Sequence, residues 1–145
     1  MDPDRKRDVA RQFIESIPHS QAMRMELRDN GDGVAEIIMP YHADLVGDPH
    51  TGVIHGGAVS TLMDTCGGAA VMSHPSNPGG TATIDLRIDY MRAATPGQSI
   101  RARATCYHIT RTVAFVRATA TDDDTENPVA TATGAFTVQG TRGAT

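Results

Sequence analysis

The sequence predicts an α+β fold in which one antiparallel sheet wraps around a single long helix. Three observations predict it. Gly57 to Ser73 is the only long internal segment with helical character, carrying Ala58, Val59, Leu62, Met63, Cys66, Ala69 and Ala70 as a wide apolar stripe. Alternating segments flank it, two before and four after. The strands come in neighbouring runs and do not alternate with helices, which marks an antiparallel sheet.

Each element has its own signal. Residues 4 to 17 read as a short amphipathic helix, with Asp4 as cap, Val9, Phe13 and Ile17 at helical spacing, and Pro18 as the stop. Residues 22 to 28 alternate Met23, Met25 and Leu27 with Arg24, Glu26 and Arg28, the pattern of a half-buried strand. Asn30-Gly31-Asp32-Gly33 is a hairpin turn, and Val34 to Met39 is the returning strand. Pro40 to Ile54 reads as a loop that leads straight into His55-Gly56-Gly57. Pro75, Asn77, Pro78, Gly79 and Gly80 end the long helix. Ile84, Leu86, Ile88 and Tyr90 then alternate with Asp85, Arg87 and Asp89. Strands follow at Ile100 to Ile109, Val113 to Thr121 and Val129 to Val138, before a frayed tail.

Composition narrows the function. The 145 residues suit one domain, and 39% hydrophobic with 4% aromatic residues makes a lean core that gains from self-association. Net charge is −4 without a basic cluster, so no nucleic-acid surface is expected. No apolar run reaches membrane-spanning length, and the polar start Met1-Asp2-Pro3-Asp4-Arg5 has no signal-peptide core. Cys66 and Cys106 are far apart and read as reduced, buried thiols of a cytoplasmic protein. His42, His50, His74 and His108 form no metal-ligand spacing, so no metal is expected. There is no GxSxG elbow and no phosphate-binding glycine loop.

The residues that carry chemistry lie in Val53-Ile54-His55-Gly56-Gly57-Ala58-Val59-Ser60-Thr61-Leu62-Met63-Asp64. A helix N-terminus offers free N–H donors and a positive dipole end, which suit a developing oxyanion. Asp64 is the sole charge on the helix and lines up with Gly57, Ser60, Thr61 and Gly68, a stripe of small residues. A lone acid there suits a general base or nucleophile, so the segment points to acyl-group chemistry. Gly56 and Asp64 are eight residues apart, which is about 12 Å along one helix. A donor and an attacking group must both lie about 3 Å from one reacting centre. If both act, two antiparallel copies of the helix supply them, one per subunit of a two-fold dimer.

The motif Gly52-Val53-Ile54-His55-Gly56-Gly57 with Asp64 downstream resembles the hotdog-fold acyl-CoA thioesterases of the phenylacetic-acid-degradation type. The resemblance covers roughly residues 20 to 139 and includes Thr83-Ile84-Asp85-Leu86-Arg87-Ile88-Asp89-Tyr90-Met91, Pro96-Gly97 and Arg111-Thr112-Val113-Ala114-Phe115. It implies an N-terminal helix over 1–20, a hotdog domain over 21–139 and a flexible tail over 140–145. It also implies hydrolysis of an acyl-CoA thioester, with Asp64 as base or nucleophile and Gly56 supplying the oxyanion N–H. Thr83 would orient water beside the acid, and His55 would shape the helix entry or bind near the carbonyl. Gly57 and Asp48 would contact substrate, Asp48 or Pro49 standing where the family carries an Asn. Arg92 and Arg111 would meet the coenzyme A phosphates. No cofactor is implied beyond the coenzyme A of the substrate, and the assembly would be a homodimer or a homotetramer built as a dimer of dimers.

Two other functions fit the same motif. A hotdog hydratase or dehydratase would pair a catalytic histidine with an acid, and His55 is its one candidate. A non-catalytic acyl-CoA binding module would bind without turnover.

Overall fold

Two prolines set the N-terminal structure. The first helix, α1 (Pro3–Ser16), opens with Pro3, where a missing N–H is harmless. Its cap is Asp2, which accepts the Asp4 N–H at 3.2 Å; the expected cap, Asp4, lies inside the first turn instead. Ile17 is extended ahead of Pro18, which ends α1 and starts a second short helix, α2 (Pro18–Ala22), absent from the sequence reading. These elements belong to a computed structural model that describes residues 2–139. The tail expected over 140–145 lies outside the described residues.

The strand expected over 22–28 starts later. Arg24 takes a left-handed φ of 56°, so pairing begins with β1 (Glu26–Gly31). Met23, Met25 and Leu27 are still buried. Asp32 and Gly33 both have positive φ, 52° and 82°, which fits the tight turn into β2 (Val34–Met39). The segment read as a loop contains a 3₁₀ turn at Ala43–Leu45 and a ribbon of β3 (Val46–Asp48) with β4 (Val53–Ile54). Helix α3 (Gly56–Ser73) follows, then β5 (Thr83–Tyr90), β6 (Ile100–Ile109), β7 (Val113–Thr121) and β8 (Ala130–Thr137).

The large sheet is antiparallel with strand order β1-β2-β6-β7-β8-β5, and α3 packs on β2, β6 and β7 at its centre. Leu62, Met63, Cys66 and Val71 of α3 are buried with Ile37, Met39, Ile100, Val116 and Phe136 of the sheet. The core admits little more: a Cβ at Gly67 would stand 2.8 Å from Phe136 Cζ. The Cys66 thiol sits 3.3 Å from the Ala35 carbonyl and 3.4 Å from that of Ala102, and burial pushes its pKa up to about 12. It is a packing group, not a nucleophile.

The two sheet edges differ. On β1, Glu15 of α1 accepts the Leu27 N–H and Arg11 donates to the Leu27 carbonyl, each at 3.2 Å, so the helix blocks further pairing. On β5, no strand pairs with the outer side among the described residues. Ile84 and Tyr90, expected on the buried side of an alternating strand, are 55% and 53% exposed, and Met91 just beyond is 55% exposed.

A bulge between Thr83 and Asp85 shifts the β5–β8 register, and the Asp85 carboxylate accepts the Ala135 N–H at 3.1 Å beside it. Gly134 makes room for this. A Cβ there would come 2.6 Å from the Asp85 carbonyl oxygen and 2.8 Å from Leu86 Cδ1. Gly134→Ala is therefore expected to destabilise the fold by about 1–3 kcal/mol through overpacking, read as a lower urea midpoint at unchanged m-value.

Candidate active site

The site begins where β4 turns into α3. His55 is extended and caps the helix with its ring: the Gly57 N–H donates to Nδ1 at 2.8 Å. That nitrogen must be unprotonated to accept. The approach needs small neighbours. A Cβ on Gly57 would stand 2.9 Å from Nδ1, and one on Gly47 of β3 would stand 2.8 Å from His55 Cα. Gly57, expected to contact substrate, thus has its N–H engaged by the cap. Ala58 N–H donates to the His55 carbonyl at 2.9 Å, while the Gly56 N–H has no acceptor among the described residues.

Along the open side of α3, Gly57, Ser60, Thr61, Asp64 and Gly68 are all at least partly exposed. The Ser60 and Thr61 hydroxyls both donate to the Gly57 carbonyl at 2.9 Å. Asp64 is half-buried and its Oδ1 accepts the Thr83 hydroxyl at 2.6 Å. Thr83 reaches it from the first residue of β5, at the bulge, where strict alternation no longer dictates its direction.

At the other end of β5, the Tyr90 hydroxyl donates to the Gly56 carbonyl at 2.9 Å. Gly56, Val59, Tyr90, Met91, Ala94 and Val129 line much of a cavity of about 290 Å³ beside the helix start. Its lining contains Gly56 but not Asp64. Tyr90, expected only as a strand residue, is not among the site residues the sequence points to; its one signal is that it ends an otherwise aliphatic series with a hydroxyl-bearing ring.

Arg92 is put to a different use from the expected phosphate contact. Its five N–H donors meet Asp122 twice, at 2.6 and 2.8 Å, Asn127 O twice, at 2.8 and 3.0 Å, and Ala93 O at 3.2 Å. A phosphate would have to displace one of these. The pair ties the cavity wall at residues 91–94 to the β7–β8 turn, and Asp122 also accepts the N–H of the next residue, Thr95, at 3.0 Å. The Arg92 guanidinium holds the Asp122 carboxyl well below the usual carboxylate range. A depressed folded-state pKa adds stability above the unfolded value, about 3.9, and loses it as pH falls further. Asp122→Asn should lower the unfolding temperature at neutral pH, and the gap from the parent should close progressively below about pH 4, as measured by thermal melts across pH.

The remaining expected groups are placed apart from that pair. Asp48 turns the β3–β4 ribbon, its carboxylate accepting the His50 N–H at 2.9 Å and its carbonyl accepting the Gly52 N–H at 2.8 Å. Arg111 is exposed in the β6–β7 turn and has no ion-pair partner among the described residues. Among the described residues no group of three His, Cys, Asp or Glu side chains is set to hold a metal, and no helix is long and apolar enough to cross a membrane.

Comparison with known proteins bears on this geometry. The profile of the thioesterase superfamily matches residues 51–129, from the turn before His55 to the residue just before β8. A Halobacterium salinarum protein named as an esterase is 41% identical over 73 residues, 48% of each chain, so that match spans about half of either protein. The medium/long-chain acyl-CoA thioesterase YigI of Escherichia coli is 27% identical over 110 residues, 67% of this chain and 69% of its own. Among solved structures, a single-residue mutant of the phenylacetic acid degradation protein PaaI from Thermus thermophilus superposes with a TM-score of 0.74. It is 25% identical, over 84% of this chain and 99% of that one.

Proposed function

The chain belongs to the thioesterase superfamily and has its hotdog fold, and from that membership we propose that it hydrolyses an acyl-CoA thioester to coenzyme A and a carboxylate. The observation that carries this reading is the placement of Asp64. It is half-buried on a stripe of small residues, held by Thr83 at 2.6 Å, and eight residues from the free Gly56 N–H at a cavity wall.

In this reading Asp64 takes a proton from a water that Thr83 helps to orient. The water oxygen attacks the thioester carbon, and the carbonyl oxygen gains charge beside the Gly56 N–H. The C–S bond then breaks, the thiolate leaves and picks up a proton, and the carboxylate remains. Attack by Asp64 itself would pass through a mixed anhydride that water cleaves, with the same products. His55 holds the helix start through its Nδ1. YigI's name supports the choice of a coenzyme A ester, and a cytoplasmic location is part of the same reading. Arg111 is our candidate for the coenzyme A phosphates, its guanidinium being without an ion partner among the described residues.

Asp64 and Gly56 of one chain lie too far apart along α3 for one carbonyl, about 12 Å. A second copy answers this. One sheet edge is covered by α1 and the other, β5, is open. Antiparallel pairing of β5 with its copy about a two-fold axis would bring two α3 stripes together and complete two sites. A dimer of dimers remains compatible with that arrangement.

Two measurements test the proposal. A thiol-release screen across short, long and aromatic acyl-CoAs should find turnover; binding without release would leave a non-catalytic module. A heterodimer of Gly56→Pro and Asp64→Asn chains should carry one intact site and turn over at about half the parental rate per dimer, as two shared sites require. A site contained in one chain would instead give an inactive heterodimer.

A further inference from the structure

We propose that Tyr90 is a positioning residue for the oxyanion donor, a role that rests on the thioesterase reading above. Gly56 has no Cβ, so its own dihedral preferences restrain the N–H poorly. A donor stabilises developing charge without reorganisation only when its direction is already fixed. Here the peptide units on both sides of Gly56 are held. The 55–56 unit carries the Gly56 N–H, and its carbonyl accepts from Ala58 at 2.9 Å. The 56–57 unit is held at both ends: its carbonyl accepts the Tyr90 hydroxyl at 2.9 Å and its N–H donates to His55 Nδ1 at 2.8 Å.

The ring adds a second restraint. A Cβ on Gly56 would stand 3.5 Å from Tyr90 Cε1, ordinary contact distance, so the ring flanks the glycine without excluding a side chain. Tyr90 and Gly56 share the wall of the same cavity. The strand that delivers Tyr90 to Gly56 also delivers Thr83 to Asp64. One strand therefore fixes the donor at one end of α3 and the acid two turns on. A tether for stability alone would instead show as a lowered unfolding midpoint when the hydroxyl is removed.

Tyr90→Phe keeps the ring and removes only the hydroxyl. The expected result is a kcat about tenfold lower, with KM within about twofold and an unchanged unfolding midpoint, because loosened geometry costs rate more than binding. The second readout uses the acyl-CoA that the thiol-release screen ranks first, ¹³C-labelled at its carbonyl and bound to the Asp64→Asn enzyme. Adding Tyr90→Phe should shrink the red shift of the bound thioester carbonyl in infrared difference spectra. The assignment stands only if the rate falls and the band moves; an unchanged kcat, or an unmoved band, overturns it. Asp64→Asn with full turnover would sink the thioesterase reading itself, whereas an inactive Asp64→Asn beside a fully active Tyr90→Phe removes only the role of Tyr90.

Discussion

An Asp64→Asn variant is expected to lose about 10²- to 10⁴-fold in kcat, the range of a positioned general base, while folding as the parent does. The substitution is nearly isosteric. The Thr83 hydroxyl, 2.6 Å from Oδ1, can donate equally to an amide oxygen, so the local geometry survives. The side chain is half-buried, not core, and Asn and Asp have similar helix propensities, so the helix has little reason to change. What disappears is the ability to take a proton or to attack carbon. Thiol release under saturating acyl-CoA measures the loss, with circular dichroism and a thermal melt as the control for folding. Turnover near the parental rate would make Asp64 a surface acid on an open stripe and remove the hydrolytic assignment. Hydration of an enoyl-CoA surviving in the same variant would move the chemistry elsewhere in the molecule.

Where side-chain periodicity met one buried face, the sequence was a good guide. The bounds of β2, β6 and β7 follow from alternation alone, because Ala102, Ala104, Val116 and Ala118 face α3 while Arg101, Arg103 and Arg117 face out. The start of α3 shifted by one residue because His55, not a Ser or Asp, is the cap. The misreadings have backbone causes. Pro18 stops one helix and opens another, since a residue without an N–H fits both positions. Arg24 in the left-handed region delayed β1 without changing which residues were buried. In β5 the alternation is genuine, yet Ile84 and Tyr90 stay exposed because the strand is an open edge.

The site was legible where it is local and hidden where it is long-range. Gly56 and Asp64 sit in one helix with His55 as its cap, and the spacing of Gly56 and Asp64 alone argues for two copies. Thr83 needed the bulge at Asp85, for which a period-two pattern has no signal. Arg92 looked like a free cation because its partner lies 30 residues away, in an acidic turn that reads as solvated. Tyr90 meets Gly56 across 34 residues, a contact that depends on how the edge strand crosses the helix.

The sharpest question about the donor is whether the N–H of Gly56, or merely the space beside it, does the work. Proline separates the two. Gly56 is the first residue of α3, the position where proline is best tolerated in a helix. His55 before it has φ −60° and ψ 135°, within the extended region that a following proline demands. The Gly56 carbonyl would still accept from Tyr90. Gly56→Pro is therefore expected to fold with unchanged or slightly higher stability and to lose about 10²- to 10³-fold in kcat, the usual cost of one oxyanion donor at about 2.7–4 kcal/mol. Gly56→Ala keeps the N–H and adds only a methyl group at ordinary contact distance from the Tyr90 ring, 3.5 Å. Its expected effect falls on KM, through crowding of the substrate. A proline variant with parental kcat would strip Gly56 of the oxyanion role, and equal losses in the two variants would assign the effect to space. A large loss with proline and a small one with alanine leaves the amide hydrogen as the group that the reaction requires.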